Sequence, residues 1–139
     1  MFKHTASALL LWAVTSTSFA LESLPSELEG KWAATSASGG DIRTGWVSMR
    51  FDEQKDGALK GVMNWKGGQT CEMQDQPLEG KWDGATLVVR ATFTSPVAFA
   101  NCAGPTEFVI KRKANGTYEG KTDRFANYTL NVYLSPKTR

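Results

Sequence analysis

Histidine is what this chain has least of: a single copy, His4, in the N-terminal segment. That segment reads as a removable leader, so the mature protein is expected to hold no imidazole. The absence excludes Ser–His and Cys–His nucleophile pairs, a histidine general base and nearly every zinc site with imidazole ligands. Cysteine is next, with only Cys71 and Cys102, and no Cys-x-x-Cys spacing to tune a reactive thiolate. Long apolar runs are missing too. The longest, Leu9 to Val14, is far short of the roughly 20 residues needed to cross a bilayer as a helix. Charge of one sign is equally scarce, with 16 Lys+Arg against 14 Asp+Glu. A balance this close to neutral gives no electrostatic case for nucleic acid.

What is present begins with a leader. Lys3 precedes the apolar run, and Ser18-Phe19-Ala20 places small residues where signal peptidase requires them. Cleavage is expected after Ala20, leaving residues 21–139 as one domain. A second domain would not fit. No cysteine follows the cut, so no lipid or other membrane anchor is expected, and the destination is secreted or periplasmic. In such a compartment an even cysteine count reads as a disulfide. A Cys71–Cys102 bridge would close a loop of about 32 residues and contribute on the order of 3–4 kcal/mol.

One pentapeptide occurs twice: Leu28-Glu29-Gly30-Lys31-Trp32 and Leu78-Glu79-Gly80-Lys81-Trp82. The match does not extend beyond it, so it marks two strands with similar local packing rather than a duplicated domain. Glycine two residues before tryptophan lets neighbouring backbone approach, and the indole supplies a large apolar face. Gly30, Trp32, Gly80 and Trp82 are therefore structural candidates.

Elsewhere the period is two. Val47, Met49 and Phe51 alternate with Trp46, Ser48 and Arg50; Leu87, Val89, Ala91 and Phe93 with Val88, Arg90 and Thr92. Leu130, Val132 and Leu134 alternate with Asn131 and Tyr133. Turn signals separate these runs at Lys55-Asp56-Gly57, Lys66-Gly67-Gly68-Gln69, Asp83-Gly84 and Asn115-Gly116. Asp83-Gly84 is expected as a two-residue hairpin turn with both residues at positive φ. Pro77 is expected to separate a short strand at Cys71–Met73 from the second tryptophan strand. The reading is all-β: a small antiparallel up-and-down barrel of about eight strands, with a β-sandwich as the alternative.

Gly30-x-Trp32 at the entry to the first strand resembles the opening motif of the lipocalins and, more loosely, the avidins, together the calycin group. Thr122-Asp123 before the last strand is similar to the start of the second lipocalin motif, although Arg124 stands where the family prefers an aromatic residue. Arg139 follows in the right order for the third. The resemblance implies a small calycin-like barrel with Trp32 closing its base, and as one possibility the carriage of a small apolar ligand.

Three residues are candidates for binding. Trp46 and Tyr133 project from polar strand faces, where a core role is not evident, and exposed aromatics hold sugars or protein surfaces. Phe99 lies in Thr94–Pro105, an irregular stretch too apolar for a solvated loop; it either packs over the barrel end or forms a binding lip. The carboxylates Glu72, Asp75, Glu79 and Asp83 could in principle supply an acid/base pair for a carboxylate-dependent hydrolase cleaving glycosides, the further alternative, and nothing in the sequence pairs them. No cofactor or metal is called for. The expectation is a small exported binding protein for a protein or glycan partner, such as an inhibitor of an exported enzyme. Its interior positions look bulky enough to fill a short barrel.

Overall fold

The computed structural model describes residues 23–67, 71–94 and 102–137. The expected leader, Phe99 and Arg139 lie outside these residues. Eight strands follow in order: β1 (Glu27–Ser36), β2 (Asp41–Lys55), β3 (Ala58–Lys66), β4 (Met73–Trp82), β5 (Thr86–Phe93), β6 (Gly104–Arg112), β7 (Tyr118–Thr122) and β8 (Tyr128–Pro136). Each pairs antiparallel with its neighbour in the chain, and β8 returns to pair with β1. Closure leaves no second sheet, so the sandwich is excluded. It also removes exposed edges.

The repeated pentapeptide has the same explanation in both strands. Leu28 and Trp32 in β1, and Leu78 and Trp82 in β4, are buried on the inner face. The intervening Glu and Lys point outward, because successive side chains alternate across the sheet. The central glycine also faces inward, at a point where an adjacent strand crosses closely. A Cβ on Gly30 would collide with the Tyr133 carbonyl, and one on Gly80 with the Val88 carbonyl.

Turn chemistry explains most of the connections. Asp56 and Gly57 both take positive φ, as the tightest hairpin turn requires. The Asp83 turn differs from expectation. It spans three residues between Trp82 and Thr86, and only Gly84 has positive φ. Asp83 instead accepts the amide hydrogens of Ala85 at 2.8 Å and Thr86 at 2.7 Å through Oδ1. Those two bonds hold its carboxyl below the usual carboxylate range.

The break expected at Pro77 is also absent, since β4 runs straight through it. Pro77 pairs with Val62 of β3, but the β4–β5 ladder covers only Glu79–Trp82. Its missing N–H therefore interrupts no ladder on the β5 side. The irregularity lies instead at Asp75, where φ is positive and the backbone amide donates to Asn64 Oδ1 at 3.0 Å. Above this bulge, an isolated Glu72–Thr94 bridge and the Cys71–Cys102 disulfide join β4 to β5 and β6 across the remaining gap.

The inner positions read from the alternation, Val47, Met49, Phe51, Leu87, Val89, Ala91, Phe93, Leu130, Val132 and Leu134, are all buried, and Leu59, Met63, Trp65 and Ile110 join them. Their centre is an aromatic layer. Trp32 stacks on Trp65 at 4.9 Å between ring centroids, Phe93 meets Trp65 edge-on at 5.1 Å, and Phe108 lies at 5.5 Å. Trp65 and Phe93 stand at the ends of β3 and β5, so the layer lies toward the end bearing the disulfide. Trp32 Nε1 donates to the Lys66 carbonyl there at 2.7 Å. Trp32 therefore does not close the base. Trp82 and Tyr118, 6.1 Å apart beside the tight turns, take that place.

Candidate functional site

The described interior contains little chemistry. Thr106 and Thr122 are its buried polar residues, and no described Asp, Glu, Lys or Arg side chain is buried. Val47, Met63, Met73, Leu87, Val89, Phe108, Ile110 and Val132 have no accessible surface at all. No water-sized void can adjoin them.

The four carboxylates weighed for hydrolysis are dispersed. Glu72 lies at the Thr94 bridge, Asp75 at the bulge and Asp83 in its turn. Glu79 belongs to a ladder of alternating charge, Glu53–Lys60–Glu79–Arg90–Glu107, that crosses β2 to β6 on the outer surface. Arg90 approaches Glu107 at 3.6 Å. Opposite charges side by side across a sheet neutralise one another, which leaves that wall self-matched.

The other wall is different, and it brings two of the three binding candidates together. Trp46 of β2 lies opposite Lys31 of β1, and Lys31 lies opposite Tyr133 of β8. Both aromatics are large and exposed, Trp46 at 41% and Tyr133 at 45%. Two strand spacings, about 9–10 Å, separate them. On the far side Trp46 pairs with Lys66 of β3, whose Nζ sits 6.0 Å from the Trp46 ring centroid. The outer row is thus Tyr133–Lys31–Trp46–Lys66. Beside it on the same face lie Ala33, Thr44 and Asn131 in one direction, and Glu29, Ser48 and Ser135 in the other.

Tyr133 also forms one wall of an open groove of about 620 Å³ across β6, β7 and β8. Exposed Val109 is a second apolar element in it, and its lysines are largely matched by carboxylates. Lys113 reaches Glu119 at 3.7 Å, and Lys121 reaches Asp123 at 3.6 Å. The groove and the Trp46 row form one continuous outer surface, joined at Tyr133.

The disulfide-bearing end is held by a residue to which the sequence reading gave no structural role. Arg124 donates to the Cys102, Ala103 and Gly104 carbonyls and to Thr106 Oγ1, at 2.9, 2.7, 3.4 and 2.7 Å. It also covers the Phe125 ring, which stacks on Tyr128 at 4.8 Å. Burial pushes the Tyr128 phenol above its ordinary value, against the opposing pull of Arg124 and Arg43. An arginine so fully engaged is a clamp between the β7–β8 connection and the start of β6. Arg124→Ala is expected to lower stability by about 1–3 kcal/mol. Amide exchange should accelerate first at residues 102–106, and unchanged protection there would remove the clamp.

Alternation alone was sufficient to place Trp46 and Tyr133 outside. Lys31 and Lys66 were missed because a lysine on a polar strand face carries no local signal; only the lateral register sets them between and beside the rings. The described chain is a closed eight-stranded antiparallel barrel, an architecture compatible with the calycin group. No family model matches it, and neither a curated protein nor a solved structure is detectably similar.

Proposed function

We propose that the chain is a small exported binding protein that engages a protein or glycan partner through its outer wall rather than its interior. The observation that supports this is the placement of Trp46 and Tyr133 in one lateral row on either side of Lys31. The leader pattern and the disulfide support export to an oxidising compartment. Tyrosine and tryptophan give large contact areas at small entropic cost. Inhibition of an exported enzyme is one form such binding could take. Carriage of a small apolar ligand gains no support from interior side chains that are already in close contact.

The test is native mass spectrometry of residues 21–139 mixed with the exported fraction of its host. The expected result is a stoichiometric complex that is lost in the Trp46→Ala/Tyr133→Ala double variant. Thermal stability of that variant should be nearly unchanged, because exposed substitutions away from caps and turns usually stay within about 0.5 kcal/mol. A complex that survives the double variant would remove the wall from the mechanism. A small apolar adduct retained by both proteins would transfer the function to the interior.

A further inference from the structure

The charges of the Trp46 row point to a ligand chemistry, on the reading that this wall is the binding surface. Among the described residues neither Lys31 nor Lys66 forms an ion pair. Nor do Lys55, Lys60, Lys81 and Lys111, whereas Arg50 pairs with Asp52, Arg90 with Glu107, Lys113 with Glu119, Lys121 with Asp123 and Lys137 with Glu27. Of the described lysines without an ion pair, Lys31 and Lys66 are the two that alternate with the exposed aromatics Trp46 and Tyr133. They stand two strand spacings apart, about 9–10 Å, with Trp46 between them.

The floor around them is low and polar. Thr44, Ser48 and Ser135 offer hydroxyl groups, while Ala33 is covered and the Asn131 amide already donates to Thr35 Oγ1. A nucleic acid strand would need a run of cations for closely spaced phosphates. Here Glu29 and Glu119 flank the row instead. Widely spaced cations, exposed aromatic rings and small hydroxyl groups match a sugar chain with isolated carboxylates. The C–H faces of the sugars stack on the rings, the hydroxyls meet the small polar side chains, and each carboxylate takes one lysine.

From this we infer that the Tyr133–Lys31–Trp46–Lys66 row binds an acidic oligosaccharide, laid across the strands of β8, β1, β2 and β3. Calorimetric titration with hyaluronan octasaccharide and oligogalacturonate, against chitohexaose, cellohexaose and oligo(dT), tests it. The expected result is binding of at least one acidic glycan about tenfold or more above the neutral ones, weakening as salt rises. Lys31→Gln and Trp46→Ala should each cost about tenfold or more, the loss of a charge-assisted contact or a stacking face. Lys60→Gln, in the self-matched ladder on the other wall, should leave affinity unchanged.

Equal affinity for neutral glycans, tighter binding of oligo(dT), no acidic glycan bound, or an unaffected Lys31→Gln would each overturn the inference. Failure here separates from failure of the wall itself. A neutral glycan or protein complex that Trp46→Ala abolishes overturns only the acidic specificity. A complex indifferent to both Trp46→Ala and Tyr133→Ala overturns both readings.

Discussion

Trp65→Ala is expected to cost the barrel about 3–5 kcal/mol, the usual range for removing a buried large aromatic side chain. Trp65 is 2% exposed and touches aromatics on three other strands: Trp32 of β1, Phe93 of β5 and Phe108 of β6. No neighbour can swing into the vacated space without leaving its own contacts, since strands on opposite sides of a closed barrel cannot approach independently. The transfer term and the cavity term therefore both apply. Urea denaturation should show a lower midpoint with little change in slope, because the surface exposed on unfolding is nearly the same. A loss below about 1 kcal/mol would mean that the aromatic layer does not hold the fold. Trp46→Ala makes the contrast, since removing another tryptophan from the outer wall should leave stability almost untouched while weakening the proposed binding about tenfold or more.

Removing the disulfide is the second large effect. In the Cys71→Ala/Cys102→Ala variant, the chain-entropy model gives a loss of about 3–4 kcal/mol for a loop of this length. For a domain of this size that lowers Tm by roughly 10–20 °C. The location of the loss is more informative than its size. The β4–β5 ladder reaches only Glu79–Trp82, and among the described residues the Glu72–Thr94 bridge and the disulfide span the interval above it. The two cysteines are nearly buried, with Cα atoms 6.1 Å apart. Without the bridge, amide exchange should rise first at Met73–Leu78 and Ala91–Thr94, before the β1–β8 seam opens. Uniform loss of protection around the barrel would show that the gap is not the weak point. Reduction of the native protein should reproduce the same pattern.

Much of this molecule was legible in the chain because it depends on near neighbours alone. The period of two fixes which side chains share a face, and that was enough to separate Val47, Met49 and Phe51 from Trp46, Ser48 and Arg50. Positive φ at Asp56 and Gly57 follows from the turn itself, and cysteine parity indicated the bridge. Where the local signal allowed two outcomes, the tertiary structure chose. Pro77 reads as a break, yet it sits inside β4 because no β5 residue needs its amide. Asp83-Gly84 reads as a two-residue turn, yet the Asp83 side chain satisfies two amides and lengthens it. The lipocalin resemblance implies Trp32 at the base, yet the β1–β2 register sets it opposite Gly45, with its indole donating to the Lys66 carbonyl toward the disulfide end.

The candidate site belongs to the second kind. The sequence by itself determined that Trp46 and Tyr133 face outward, that Lys31 does too, and that the chain is a set of antiparallel strands with turns between them. Only the tertiary structure decided that these three residues are neighbours, and that Lys66 completes the row. Alternation is set by the backbone dihedrals of each residue, whereas lateral adjacency is set by register and by closure of β8 on β1. Contacts such as Asn131 with Thr35, 96 residues apart in the chain, fix that closure.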